Sequence, residues 1–206
     1  MKNEIILIGG GGHCKSCIDV IEQENKYRIA GIVDIQEKLN QKVSGYKIIA
    51  TDHDLQNLSK QFNFFFITVG QIKSPSIRIK LFMNLKNIGV RIPKIISPYA
   101  YISDKAQIGE GTICMHHSMI NAGAKIGVNC IINSKALVEH DAIINDHCHI
   151  STGAILNGEV CIGNGSFIGS NSVCVESAIV KPYSFIESNI KIGKKRANHE
   201  AITTNK

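Results

Sequence analysis

The sequence predicts an α/β N-terminal domain, a small Rossmann-like parallel sheet over residues 1–93, followed by a left-handed parallel β-helix over residues 94–193. Three observations predict it. An apolar residue stands at every sixth position from Ile96 to Ile192, and a mostly small one follows four places after each. The opening reads as a strand, a glycine-dense loop, a helix and a second strand, which is a βαβ unit.

The sixfold spacing runs through Ile102, Ile108, Cys114, Ile120 and on to Ile192, seventeen successive hits. The small positions include Ala106, Thr112, Ala136, Cys148 and Ala154. Each hexapeptide forms one short strand and turn of a triangular coil, so three return the chain above its start and residues eighteen apart stack. The aliphatic fills the prism and the small residue leaves room at the corner. About five coils result, each burying its face against its neighbours. Cys130 and Cys148 are eighteen apart and are expected to stack inward as small hydrophobes.

In the first 93 residues, strands are expected at Glu4 to Ile8, Arg28 to Val33 and Phe64 to Val69. Helices are expected at Lys15 to Glu24, Asp52 to Gln61 and Pro75 to Asn87, with the alternation continuing into Arg91 to Ile96. Pro93 and Pro98 bracket a short passage into the first coil. Residues 194–206 form a polar tail.

Composition agrees with thin, regular coils: among 206 residues there are 18 Gly, no Trp and 6% aromatics. The net charge of +6 is scattered except at Lys194, Lys195 and Arg196, and no aromatic platform accompanies it, so nucleic acid is not expected. No apolar run reaches membrane length and no export signal opens the chain, which reads as cytoplasmic. Of the seven cysteines in such a chain, most are expected to be reduced and buried.

Gly9 to Gly12 precede His13 at the strand-to-helix turn, where backbone N–H groups and the helix dipole suit phosphate. Cys14 stands where the dinucleotide fingerprint needs its third glycine, so NAD is not supported. A mononucleotide or a nucleotide-sugar pyrophosphate fits, with Asp34 at the end of the second strand facing a ribose or base. Cys14 and Cys17 form a Cys-x-x-Cys read as structural.

Five histidines lie in the coils, without the His-x4-His spacing of the metal-binding γ-type carbonic anhydrases, so no metal is expected. His140 is followed by Asp141, a pair suited to proton removal from an attacking amine or hydroxyl. As the third residue of its hexapeptide, His140 is expected to point outward. It cannot share a face with His149, half a coil on.

Gly-Gly-Gly-Gly-His at the start, Ile32-Val33-Asp34, Thr68-Val69-Gly70, Val138-Glu139-His140-Asp141 and the run His147 to Gly153 together resemble the NeuD/PglD-type bacterial sugar acyltransferases. That family includes sialic acid O-acetyltransferases and N-acetyltransferases of nucleotide-linked amino sugars. The resemblance implies acetyl-CoA as co-substrate, His140 as general base and Asp141 as the acid that raises its basicity. It places Gly11, Gly12, His13 and Asp34 at the sugar nucleotide, and His149, Gly158 and Ser170 along acetyl-CoA. It further implies a homotrimer with active sites between subunits. The acceptor that the resemblance implies is a nucleotide-linked amino sugar or sialic acid. A sugar-nucleotide-binding trimer without catalysis is the alternative of another class.

Overall fold

The computed structural model describes residues 2–193; the expected polar tail, with Lys194, Lys195 and Arg196, lies outside the described residues. Strand β1 (Asn3–Ile8) leads through the glycines into α1 (Gly12–Glu24), which Asn25 ends in the left-handed conformation. Then come β2 (Tyr27–Val33), β3 (Lys42–Val43), β4 (Tyr46–Ala50), α2 (Leu55–Leu58), β5 (Phe64–Ile67) and α3 (Ser76–Ile88). The sheet order is β3-β4-β2-β1-β5, parallel except for the β3–β4 pair.

Three local expectations change. The β3–β4 hairpin was not foreseen; Ser44 and Gly45 both take positive φ, as a tight two-residue turn between right-twisted strands requires. The helix expected over 52–61 shrinks to a 3-10 turn, Asp52–Asp54, running into α2, with Thr51 and Asp54 capping its start reciprocally. Arg91 to Ile96 does not continue the sheet. Arg91 makes one bridge to Phe64, and Pro93, without an N–H, cannot carry the ladder on.

Seventeen two-residue strands follow, from β6 (Ile95–Ile96) to β22 (Lys191–Ile192). They stack into three parallel sheets of six, five and six strands, the faces of a left-handed β-helix. Ladder partners are eighteen residues apart, as in Ile132 to Ile150 to Ile168. The second residue of each strand points in, and Ile120, Ile132, Val138, Ile150 and Ile168 are fully buried in the prism core. Cys130 and Cys148 do stack there, with the Cys148 N–H on the Cys130 sulfur at 3.4 Å.

The first residue of each strand points out. On one face these are Ile95, Ile113 and Ile131, which join α1 and the underside of the first sheet in a shared core. The N-terminal sheet therefore sits on the early coils of this face, because its outward column is aliphatic there. Further along, the same column becomes His149, Phe167 and Phe185, and the N-terminal part arches over it to leave a cleft. Among the described residues no helix is long and apolar enough to cross a membrane.

Candidate active site

The cleft holds about 940 Å³ between the strand ends of the first sheet and the outer face of the later coils. Gly11 caps α1 without any side-chain hydrogen bond, and no acidic residue occupies the first turn. Where Cβ atoms would stand on Gly11 and Gly12 there is open space, so their backbone can be approached closely. The N-terminus of α1 thus offers unpaired N–H groups and a positive dipole end to the cleft.

Asp34 braces this loop. Its Oδ2 accepts from the Gly10 N–H at 2.6 Å and from Lys38 Nζ at 3.0 Å, while Oδ1 accepts from the Ile35 N–H at 2.7 Å. Partial burial works against its charge, but the bonds from Ile35, Lys38 and Gly10 outweigh it and hold its pKa below the ordinary value. Gly9 must be glycine: at φ 105° its missing Cβ would stand 2.4 Å from a Val69 methyl.

On the coil side, the His149 ring is held at both nitrogens. Nδ1 lies against the Gln71 carbonyl, so it carries the proton. Asn133 accepts the Ser134 N–H through its oxygen and so turns its NH2 to His149 Nε2, at 3.1 Å. Burial lowers the His149 pKa to about 4, against the bond to Gln71 and with help from the nearby Arg78 charge. His149 is therefore neutral, and its one N–H is directed at the Gln71 carbonyl. His13, at the cleft floor, is pushed down to about 3 by burial, then by Arg78 and His149.

Arg78 ties these parts together from beneath. It is 1% exposed and donates to the Val69 and Ile67 carbonyls at 2.6 and 3.1 Å, and to Asn129 Oδ1 at 2.6 Å. Gln71, also buried, adds a bond to the His147 carbonyl at 2.9 Å. Thus the Val69–Gln71 segment is fastened to the coils, and Gln71 in turn fixes His149. Edge to face on His149 stands Phe167, which stacks on Phe185 with 5.2 Å between centroids. Gln71, Arg78, Asn133 and the two phenylalanines were not foreseen. The eighteen-residue spacing of 149, 167 and 185 was the signal available for the column.

Cys14 and Cys17 face the sheet, fully buried, and burial raises both thiol pKa values. That leaves no reactive thiolate.

His140 and Asp141 stand elsewhere, on a turn of the prism outside the cleft lining. His140 points outward, with 57% of its side chain exposed, and its Nδ1 meets Asp141 Oδ2 at 3.0 Å. The Asp141 bond comes first in raising the His140 pKa, followed by its charge and those of Glu139 and Glu159. With Nδ1–H given to Asp141, the Nε2 lone pair is free for a proton. Gly158 lies under this ring, and its Cβ, if it had one, would be 2.7 Å from His140 Cε1.

The foreseen residues therefore fall into two places. Gly11, Gly12, His13 and Asp34 line the cleft together with His149 and Ser170, the two that the resemblance assigns to acetyl-CoA. Gly158 keeps company with His140 instead. Among the described residues no group of three or more His, Cys, Asp or Glu is placed to hold a metal ion.

Comparison with known proteins bears on this arrangement. Residues 4–85 match the family model described as the PglD N-terminal domain. The structure superimposes with TM-score 0.85 on a His-to-Asn mutant of perosamine N-acetyltransferase from Caulobacter crescentus in complex with CoA and GDP-perosamine; the two are 26% identical over 93% of this chain and 90% of that one. The acetyltransferase domain of PglB from Neisseria gonorrhoeae FA1090, in complex with acetyl coenzyme A, gives TM-score 0.84 and 27% identity over 94% of each chain. Uncharacterized protein L142 of Acanthamoeba polyphaga mimivirus is 37% identical over 123 residues, 60% of this chain, which spans 23% of that protein.

Likeness over nine-tenths of both chains reaches past the coil architecture to the N-terminal sheet, and the chain is an acetyltransferase. Its residues 4–85 match the PglD N-terminal domain, and nearly its whole length is similar to sugar N-acetyltransferases of known structure.

Proposed function

We propose that this chain transfers the acetyl group of acetyl-CoA directly to the amine of a nucleotide-linked amino sugar, as a homotrimer, with His140 as general base. The observation that carries the reading is the His140–Asp141 pair: an exposed imidazole with one nitrogen bonded to a carboxylate and the other open. A second support is the cleft, whose glycine loop offers a diphosphate unpaired N–H groups and whose coil side offers aromatic and hydroxyl contacts.

His140 and the cleft are apart in one subunit, so the reading requires a neighbour. One face of the prism carries an outward stripe of Tyr101, Met119, Leu137, Ile155 and Val173 along five of its six stacked strands, the last strand carrying Lys191. Tyr101 is 56% and Met119 44% exposed, an apolar strip of the kind that subunits cover. His140 stands on the turn just after Leu137–Val138, at the edge of that stripe.

In the transfer, the amine nitrogen attacks the thioester carbonyl carbon while Nε2 of His140 takes the proton. Asp141 holds the Nδ1–H and balances the imidazolium. The C–S bond breaks and the CoA thiolate leaves, recovering the proton from His140. The neutral His149 orders the cleft rather than donating to the oxyanion, which leaves backbone N–H groups for that role.

The test is acetyl transfer to a panel of UDP-, GDP- and dTDP-linked amino sugars, beside free sialic acid, with wild type and His140→Ala. Turnover of a nucleotide-linked amine, reduced on the order of a hundredfold or more in the mutant, is expected. Turnover of sialic acid alone would overturn the amine reading, and a monomer by light scattering would overturn the shared site.

A further inference from the structure

The seat of the histidine rests on two glycines, one coil after it and one coil before its partner. Gly158 follows His140 by eighteen residues, and Gly123 precedes Asp141 by eighteen. A Cβ on Gly158 would stand 2.7 Å from both Cε1 and Nε2 of His140; one on Gly123 would stand 2.2 Å from Asp141 Oδ1. Gly158 is buried although it lies on a surface turn, and its nearest neighbours are the ring atoms of His140.

The geometry at Gly158 differs from that of the other coil glycines. Gly109, Gly123, Gly127, Gly153, Gly163 and Gly169 are each met by atoms of the following coil. Gly111 is met by Phe82 and Ile92 from ahead of the first coil, so among the described residues only at Gly158 does a side chain reach forward from a preceding coil. Its backbone has none of the positive φ that marks Gly123, at 77°, so conformation does not require a glycine there. Space for the imidazole does.

We propose that Gly158 is a positioning residue whose missing Cβ is the seat of the His140 imidazole, with Gly123 the corresponding seat of the Asp141 carboxylate. Lying flat on the coil, the ring keeps Nδ1 on Asp141 and turns Nε2 along the prism surface. An added methyl lifts the ring, loosens the bond to Asp141 and re-aims Nε2. The other charges facing the ring are Glu139 on its own coil and Glu159 on the next. Glu139 is held by Asn121 and Glu159 by Ser177, so neither follows the ring when it moves.

The inference rests on the general-base reading of His140, and the experiment separates the two. The His140 Cε1–H resonance is titrated by NMR in wild type and Gly158→Ala, with assignment from its loss in His140→Gln, beside steady-state kinetics. In Gly158→Ala the midpoint is expected to move by at least about half a pH unit toward the ordinary histidine value. The kcat is expected to fall on the order of a hundredfold, as for a displacement of about 1 Å, with the acetyl-CoA KM within about threefold. An unmoved midpoint overturns the proposal, whatever happens to the KM. A moved midpoint with unchanged kcat supports the seat and overturns the base assignment beneath it. As a check on folding, Gly158→Ala is expected to lower the melting temperature in wild type but not in His140→Ala; equal losses in both backgrounds overturn the proposal.

Discussion

Replacing Arg78 by Met tests how the cleft is held. The guanidinium is buried, and no carboxylate among the described residues pairs with it; backbone and amide oxygens alone compensate its charge. Its two shortest bonds, both 2.6 Å, go to the Val69 carbonyl and Asn129 Oδ1. Bonds to a charged group contribute about 1.5–3 kcal/mol each, so losing these two costs about 3–6 kcal/mol. Removing an ion that was costly to bury offsets part of this, leaving a net loss of about 2–4 kcal/mol. For a chain of this size each kcal/mol moves Tm by about 2–4 °C, so a fall of about 8 °C is expected. Thermal unfolding by circular dichroism at fixed protein concentration measures it. Arg78→Lys, which keeps the charge but not the fork, is expected in between. A fall under about 2 °C, or a rise, would refute the argument that Arg78 fastens Val69 to the coils.

Burial of neutral His13 and His149, with pKa values near 3 and 4, makes stability depend on pH. Unfolded histidines near 6.5 take protons that the folded ones refuse, so this stability is complete above that pH and is lost as pH falls toward 4. Urea unfolding at pH 7 and 5 is expected to differ by about 4 kcal/mol from this pair, and by about half in His149→Asn; no difference between pH 7 and 5 would contradict their burial. Because Asp141 raises the His140 pKa, Asp141→Asn is expected to shift the acid limb of kcat/KM to lower pH and to lower the plateau about tenfold or more. An unshifted limb would detach Asp141 from the base. Gly11→Ala meets nothing in the fold, so it is expected to leave Tm within about 1 °C while raising the sugar-nucleotide KM about tenfold. Unchanged KM would remove the phosphate from that loop.

The β-helix was legible from the sequence because its rule is local and repeated: each hexapeptide must place an aliphatic inside and a small residue at the corner. Spacing alone therefore fixed the rungs, the stacking of Cys130 on Cys148 and the outward aim of His140. The glycine loop was legible because a strand-to-helix turn has few solutions, whereas the bonds that Asp34 makes to Gly10, Ile35 and Lys38 were not. The Ser44–Gly45 hairpin was missed as a short turn signal between strands of two and five residues. Tertiary structure alone decided where the N-terminal sheet docks. That depends on which outward column is aliphatic, Ile95, Ile113 and Ile131, and on Arg78 finding Asn129 fifty-one residues away. Docking there brings His149 and Ser170 into the glycine-lined cleft and leaves Gly158 under His140, a division that no spacing along the chain encodes, because it arises from one surface covering another.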